Sequence, residues 1–149
     1  DKKDIFVDFG CGKGRVLLIA SRYNFNKIIG IEFSPELISI ALANIERCKN
    51  YSNFSIDKIK IIKEDVLHYN FSNNETVFYL YNPFSNIILN RLCENIVKSF
   101  ISNPRRILII YVNPNSRTRK FHNLIIDKGF IKIHNVNLIN RMCYIYSKG

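Results

Sequence analysis

Short apolar runs alternate with amphipathic stretches along most of the chain, and this pattern predicts βα units on a mainly parallel sheet. Seven of the runs have the length and composition of strands. They cover residues 5–9, 27–32, 58–63, 76–81, 107–112, 131–136 and 142–146. The connection between the last two is too short for a parallel crossover, so these two strands must pair antiparallel. The pattern therefore predicts an α/β fold with seven mostly parallel strands, helices on both faces and an antiparallel C-terminal strand pair.

Four helices are predicted between these strands. The first covers residues 14–23 and is apolar on nearly all sides, as expected of a helix buried beside a central strand. The second begins with Ser34 as N-cap and Pro35 at the first helical position, a strong start signal. The other two cover residues 88–100, before Asn103-Pro104, and residues 116–128, before Gly129 as the C′ residue.

The size and composition are those of one folded domain. The chain has 149 residues, of which 47% are hydrophobic and 23% are charged. We expect a single domain over residues 1–149, and because the first strand follows so soon after Asp1, we expect the natural protein to carry an N-terminal extension. The sequence has no apolar run long enough for a membrane span and no signal peptide, which favours the cytoplasm. The four cysteines are widely spaced, which predicts buried thiols and no metal site.

A glycine-rich loop connects the first strand to the first helix. Gly10, Gly12 and Gly14 occupy alternate positions, with Cys11 between the first two, and Asp8 precedes them. Glycines in such a loop let the backbone approach a ligand closely, because no Cβ atom stands in the way. Many strand-to-helix turns use glycine for backbone geometry alone, so the loop by itself also fits a purely structural turn.

Acidic residues at the ends of the next two strands favour a ligand site. Glu32 closes the second strand, where a carboxylate can accept both hydroxyls of a ribose, and Phe33 follows it with a ring suited to pack on adenine. Asp65 closes the third strand, where it can accept from the exocyclic amine of adenine, and Val66 adds an apolar wall. Parallel strands present their carboxyl ends at one edge, so we expect these residues and Asp8 to form one crevice.

Together these residues resemble the class I S-adenosylmethionine-dependent methyltransferases, which have a Rossmann-like fold, and the resemblance covers essentially the whole chain. It implies that the glycine loop holds the methionine part of S-adenosylmethionine and that Asp8 lies near its amino group. It also implies that Glu32 binds the ribose and Asp65 the adenine. The nicotinamide-binding fold fits less well, because its third glycine would fall at Arg15.

The segment after the fourth strand carries the candidate acceptor site. Asn82-Pro83-Phe84 is similar to the Asn/Asp-Pro-Pro-Tyr/Phe motif of methyltransferases that act on amide or exocyclic amino nitrogens, but has one proline instead of two. The resemblance implies that Asn82, beside the cofactor, and the Pro83 carbonyl accept from an NH₂ group, while Phe84 and Tyr81 orient the acceptor. A weaker similarity is to the disruptor-of-silencing class of histone-lysine methyltransferases. A simple turn with Phe84 in the core remains the structural alternative.

The formal net charge of +10 favours nucleic acid or another acidic surface as a partner. A solvated basic surface is the alternative, because the abundance of Ile, Asn and Lys is also typical of an AT-rich genome. Of the basic clusters, only Arg117 to Lys120 falls where a substrate would pass. Direct in-line methyl transfer, with nitrogen as the preferred acceptor, is the predicted function, and a cofactor-binding scaffold without transfer activity is the alternative. Neither the acceptor nor the oligomeric state is indicated.

Overall fold

The computed structural model describes residues 2–81, 84–112, 118–138 and 141–149. Its strands are β1 (Ile5–Phe9), β2 (Lys27–Glu32), β3 (Ile59–Lys63), β4 (Val77–Tyr81), β5 (Ile107–Val112), β6 (Ile131–Leu138) and β7 (Arg141–Lys148). Its helices are α1 (Arg15–Ala20), α2 (Pro35–Arg47), α3 (Asn86–Ser102) and α4 (Thr118–Asp127). The strands form a seven-stranded sheet in the order β3-β2-β1-β4-β5-β7-β6, in which β7 is antiparallel to β5 and to β6. The predicted fold class is confirmed.

The chain forms two compact units, Asp1–Tyr69 and Asn70–Gly149. In the first unit β2 pairs in parallel with both β1 and β3. All its residues after Lys27 are buried, as expected for a strand with neighbours on both sides. Asp8 is in register with Gly30, and Glu32 with Lys63, so the ends of these strands lie at one edge of this unit.

Helix α1 is shorter and less buried than predicted. It spans six residues, of which only Leu17 and Ala20 are buried, whereas Ile19 is 51% exposed. The helix ends because the chain turns at Ser21, whose buried hydroxyl donates to the Leu18 carbonyl at 2.8 Å. The predicted helix over residues 14–23, buried on nearly all sides, was therefore wrong in both length and burial. Helix α1 packs on the sheet with one face only.

Helix α2 begins as predicted. Ser34 has extended backbone geometry, and its hydroxyl accepts from the N–H of Leu37 at 3.3 Å, which confirms it as the N-cap. Pro35 is the first helical residue and Glu36 lies in the first turn. A short 3₁₀ turn, Ile56–Lys58, precedes β3 and moves the start of that strand one residue past the prediction.

In the second unit β4 pairs in parallel with β5, and β5, β7 and β6 are antiparallel neighbours. The predicted C-terminal strand pair is thus confirmed, and both strands are longer than predicted. After α4, Gly129 has a φ of 81° and its N–H donates to the Ile126 carbonyl at 2.8 Å, which confirms it as the C′ residue. Helix α3 ends at Ser102, just before Asn103-Pro104 as predicted.

The four cysteines are free thiols, and Cys11, Cys93 and Cys143 are buried while Cys48 is half-buried. Within the described ranges, no cluster of His, Cys, Asp and Glu is arranged to hold a metal ion. None of the helices in this part of the chain has the length and apolar character that crossing a membrane requires.

Candidate functional site

The loop between β1 and α1 is anchored to the end of β2. The N–H groups of Gly10 and Cys11 both donate to the carbonyl of Ile31, at 2.9 and 3.0 Å, and the Gly14 N–H donates to the Cys11 carbonyl at 2.9 Å. Gly10, Gly12 and Gly14 have φ values of 77°, 52° and 77°. Backbone geometry alone therefore favours glycine at all three positions, because other residues rarely adopt positive φ.

Gly12 is the position where this loop leaves open space. A Cβ atom at Gly12 would meet no atom of the described residues within 4 Å, whereas one at Gly14 would lie 3.2 Å from the Cβ of Ala41 in α2. The N–H of Gly12 donates to Oε2 of Glu32 at 3.0 Å. Gly14 thus serves the packing of the loop on α2, and Gly12 leaves room for a ligand beside the loop.

Glu32 joins the loop to the start of α2. Its side chain is 5% exposed, and Oε1 accepts from the N–H groups of Phe33 and Ser34 at 3.0 and 2.9 Å. With the Gly12 N–H on Oε2, three backbone donors stabilise this buried carboxylate. Because each carboxylate oxygen has two lone pairs, one acceptor position remains, on Oε2. This structural role was not predicted, since sequence alone does not show which backbone N–H groups face a side chain.

Asp8 is the second buried carboxylate of the site. Asp8 is 3% exposed. It is in register with Gly30, and Gly30 and Glu32 are two residues apart in β2, so Asp8 and Glu32 lie on the same face of the sheet. No hydrogen bond or ion pair reaches the Asp8 side chain from the part of the chain that the structure describes. Burial, and next the charge of Glu32, raise the pKa of Asp8 from 3.8 to about 7. A cation bound beside Asp8 would favour its charged form and lower this pKa.

Cys11 packs beneath the loop. The thiol is 6% exposed, and burial together with the charges of Asp8 and Glu32 raises its pKa to about 12, so it stays neutral. It lies over Gly30, where a Cβ atom would come within 2.7 Å of the Cys11 Sγ and 2.6 Å of Leu17 Cδ1. Gly30, which the sequence reasoning did not assign to the site, therefore provides the space in which the loop and α1 approach the sheet.

Asp65 lies two residues beyond the end of β3, so the prediction that it closes this strand is corrected. The strand ends earlier because residues 66–68 form a turn, in which Asp65 Oδ1 accepts from the Leu67 N–H at 2.9 Å. Asp65 is exposed, and Oδ2 has no hydrogen bond within the described ranges. Val66 is buried, while Phe33 is 73% exposed beside Glu32. An exposed ring next to a buried carboxylate is suited to stack on a planar ligand.

The candidate acceptor residues belong to the second unit. Tyr81 ends β4 and is 39% exposed, and Phe84 is half-buried just before Ser85, the N-cap of α3. Asn82 and Pro83 lie outside the described residues, and so does Arg117. The positions of these three side chains therefore remain sequence-based predictions.

A family described as a methyltransferase domain matches residues 1–141 of this chain. The chain belongs to this family. It is 39% identical over 64 residues to a protein-lysine N-methyltransferase of Saccharolobus islandicus, a match that covers 42% of this chain and 40% of that protein. It is 27% identical over 89 residues to a tRNA (guanine-N(7)-)-methyltransferase of Clostridium botulinum, covering 58% of this chain and 41% of that protein. The chain thus spans about two fifths of the length of these curated relatives.

The fold is shared with an RNA methyltransferase from Salinibacter ruber that was solved in complex with S-adenosyl-L-homocysteine. The two structures superpose with a TM-score of 0.72 over 99% of this chain and 82% of the other, at 18% sequence identity. The family match and this shared fold confirm the predicted class I S-adenosylmethionine-dependent methyltransferase domain.

The buried carboxylates fit the charges of S-adenosylmethionine. This cofactor carries two cationic groups, a sulfonium and an α-ammonium. Asp8 and Glu32 are both buried on one face of the sheet, and within the described ranges neither forms an ion pair with a lysine or arginine. A cationic ligand would therefore supply the charge that this pair lacks, whereas an anionic dinucleotide would add repulsion.

Proposed function

We propose that residues 1–149 act as one domain that transfers the methyl group of S-adenosylmethionine directly to a nitrogen atom of its acceptor. The observation that carries the proposal is the buried Asp8 carboxylate, which has no partner among the described residues and lies on the same sheet face as Glu32. Nitrogen is favoured because the names of two curated relatives specify transfer to lysine nitrogen and to guanine N7. The motif Asn82-Pro83-Phe84 favours the same atom.

The cofactor site is proposed to work as follows. Asp8 pairs with the α-ammonium group, and the remaining acceptor position on Glu32 Oε2 takes a ribose hydroxyl. Asp65 Oδ2 accepts from the adenine amine, and Phe33 stacks on the adenine ring. The other residues that contact the cofactor in this proposal are Gly10, Cys11, Gly12, Gly14, Val66 and Asn82.

On the acceptor side, bound S-adenosylmethionine supplies an electrophilic methyl group on a positively charged sulfur. Asn82 and the carbonyl of Pro83 accept hydrogen bonds from the acceptor amine and thereby direct the nitrogen lone pair. Tyr81 and Phe84 hold the acceptor by ring contacts. Orientation of this kind contributes up to roughly 7–11 kcal/mol to catalysis, so no reactive side chain is required.

A cofactor-binding scaffold is the second candidate. It is favoured by the match to only about two fifths of each curated relative, because most of the length of those proteins has no matched counterpart in this chain. Both candidates bind the cofactor, but only the first transfers methyl groups. For both candidate functions we place the protein in the cytoplasm, because its four cysteines are free thiols, as is usual in a reducing compartment.

Methyl-labelled S-adenosylmethionine separates the two candidates. The purified protein is incubated with labelled cofactor and with lysine-rich proteins or total RNA, and mass spectrometry identifies the methylated atom. We expect label on nitrogen, and we expect Asn82→Ala to reduce transfer at least about tenfold, which is more than it reduces the affinity for the cofactor. Asn90→Ala, an exposed position in α3, is the matched control. Cofactor binding without transfer to any acceptor would instead support the scaffold, and methyl on oxygen or carbon would contradict the nitrogen assignment.

A further inference from the structure

Two neighbouring hollows on the first unit share Arg22, and none of the proposed cofactor residues lines either of them. The first, of about 380 Å³, is lined by residues that include Lys13, Arg15 and Phe54. The second, of about 420 Å³, is lined by serine, asparagine and tyrosine side chains. Neither lining contains Asp8, Glu32 or Asp65. We propose that these hollows form one groove, here called the Arg22 groove, that binds a segment of single-stranded nucleic acid.

The charge of the groove is entirely positive. Lys13, Arg15 and Arg22 are exposed, and no acidic side chain lines either hollow. None of the three forms an ion pair with another described residue. By contrast, Lys49 of the same unit pairs with Glu46 at 3.0 Å. Uncompensated cations along a groove are the feature that attracts a phosphate backbone.

The first hollow adds surfaces on which bases can stack. The ring of Phe54 is half-buried, and the guanidinium carbon of Arg22 lies 5.8 Å from its centroid. Tyr51 lies edge-on to the same ring, with centroids 6.4 Å apart, and is 62% exposed. Nucleobases stack on aromatic rings and on guanidinium planes. Rings beside cations offer a nucleotide both a stacking surface and a phosphate contact, and this combination favours nucleic acid over a purely acidic peptide.

The second hollow offers hydrogen bonds next to these surfaces. Its lining includes the amides of Asn24 and Asn53 and the hydroxyl of Ser52, all on exposed residues. Tyr23, also in this lining, is 63% exposed. Amide and hydroxyl groups of this kind contact sugars, phosphates and base edges. The two hollows on either side of Arg22 thus suit consecutive nucleotides of one strand.

The Arg22 groove adds a class of partner to the proposed function. Nucleic-acid binding is measured without the cofactor, so the groove proposal and the proposed function can each fail independently. Binding of a fluorescent single-stranded RNA oligonucleotide is followed by anisotropy for the wild-type chain and for Arg15→Gln/Arg22→Gln. The control, Arg91→Gln/Lys98→Gln, removes the same charge from exposed positions of α3. We expect at least about tenfold weaker binding and a shallower salt dependence for the groove variant only. Its affinity for S-adenosylmethionine stays within about twofold of wild type.

Stacking is tested with Phe54→Leu, which removes the ring but keeps an apolar side chain. Its affinity for the oligonucleotide is compared with that of wild type at a temperature where both chains are fully folded. We expect this variant to bind the oligonucleotide at least about fivefold more weakly than wild type. A polyglutamate peptide should compete poorly, because it brings charge without bases. The proposal is overturned if the oligonucleotide does not bind, if both double variants lose affinity equally, or if polyglutamate competes as well as RNA.

Discussion

Asp8 and Glu32 are both buried carboxylates on one face of the sheet, yet only Glu32 accepts hydrogen bonds from the backbone. Three N–H groups donate to the Glu32 carboxylate, whereas no described residue donates to the Asp8 carboxylate. The pKa of Asp8 is raised to about 7, chiefly by burial and next by Glu32. Glu32 therefore contributes to the structure of the loop, and Asp8 is held in an environment that disfavours its charged form.

Asp8→Asn should stabilise the chain in the absence of ligand. The folded pKa of about 7 lies above the ordinary value of 3.8, so Asp8 lowers stability as pH rises between these values, and the loss is complete above pH 7. The free energy of unfolding of Asp8→Asn should exceed that of wild type by about 2–4 kcal/mol above pH 7, and the difference should vanish near pH 4. Thermal unfolding of both chains across this range measures it. A variant that is less stable than wild type at pH 8 would contradict the account.

Glu32→Gln should have the opposite effect on stability. An amide has one acceptor oxygen, so its NH₂ group would face at least one of the backbone donors on Gly12, Phe33 or Ser34. Leaving such a donor unsatisfied costs about 1–3 kcal/mol. Urea unfolding at pH 8 measures the difference, with Asp8→Asn as the matched variant. A Glu32→Gln chain that is as stable as wild type, or more stable, would show that Glu32 does not anchor the loop.

The affinity for S-adenosylmethionine should depend on pH through Asp8. The cationic ligand binds the ionised carboxylate, so affinity should be constant above pH 7 and fall about tenfold per pH unit below it. Asp8→Asn should remove this dependence. The measurement is a series of dissociation constants by calorimetry between pH 5 and pH 8.5, at about constant ionic strength. Wild-type affinity that is flat over this range would mean that Asp8 does not contact the cofactor's cationic group.

Gly30→Ala should damage both the fold and the site. Its Cβ would lie 2.6 Å from Leu17 Cδ1 and 2.7 Å from Cys11 Sγ, so these two buried side chains, or the helix and loop that carry them, must shift. Overpacking of this kind costs about 1–3 kcal/mol. Gly12→Ala is the comparison, because its Cβ meets no described atom within 4 Å and the cost is backbone strain alone. Thermal unfolding should show the larger loss for Gly30→Ala, and a smaller loss there would refute the packing argument.

The fold was largely predictable because its signals are local. Buried parallel strands appear as continuous apolar runs, and Ser34 and Gly129 mark helix ends by backbone chemistry that the structure reproduces. The extent of α1 was not predictable in this way. Its apolar residues indicate a fully buried helix, but Ile19 is half exposed, because burial depends on which elements pack around it.

Part of the arrangement around the candidate site could be predicted from the sequence, but its electrostatics could not. The prediction that Asp8 and Glu32 lie at neighbouring strand ends agrees with the structure, whereas Asp65 lies beyond its strand. Sequence does not show that Glu32 is saturated by backbone donors or that Asp8 lacks them. It also gave no weight to Arg15 and Arg22, because the groove they share with Phe54 depends on how residues distant in sequence come together. The basic cluster it favoured, from Arg117 to Lys120, begins outside the described residues.

Calorimetric titration with S-adenosylmethionine at pH 8 tests the central claim most directly. We predict micromolar binding to the wild-type chain, and binding that is at least about tenfold weaker for folded Asp8→Asn, because a charge-assisted contact is lost. NADH, an anionic dinucleotide, should not bind. No binding of S-adenosylmethionine by the folded wild-type chain, or equal binding by Asp8→Asn, would contradict the assignment of this carboxylate pair as the cofactor site.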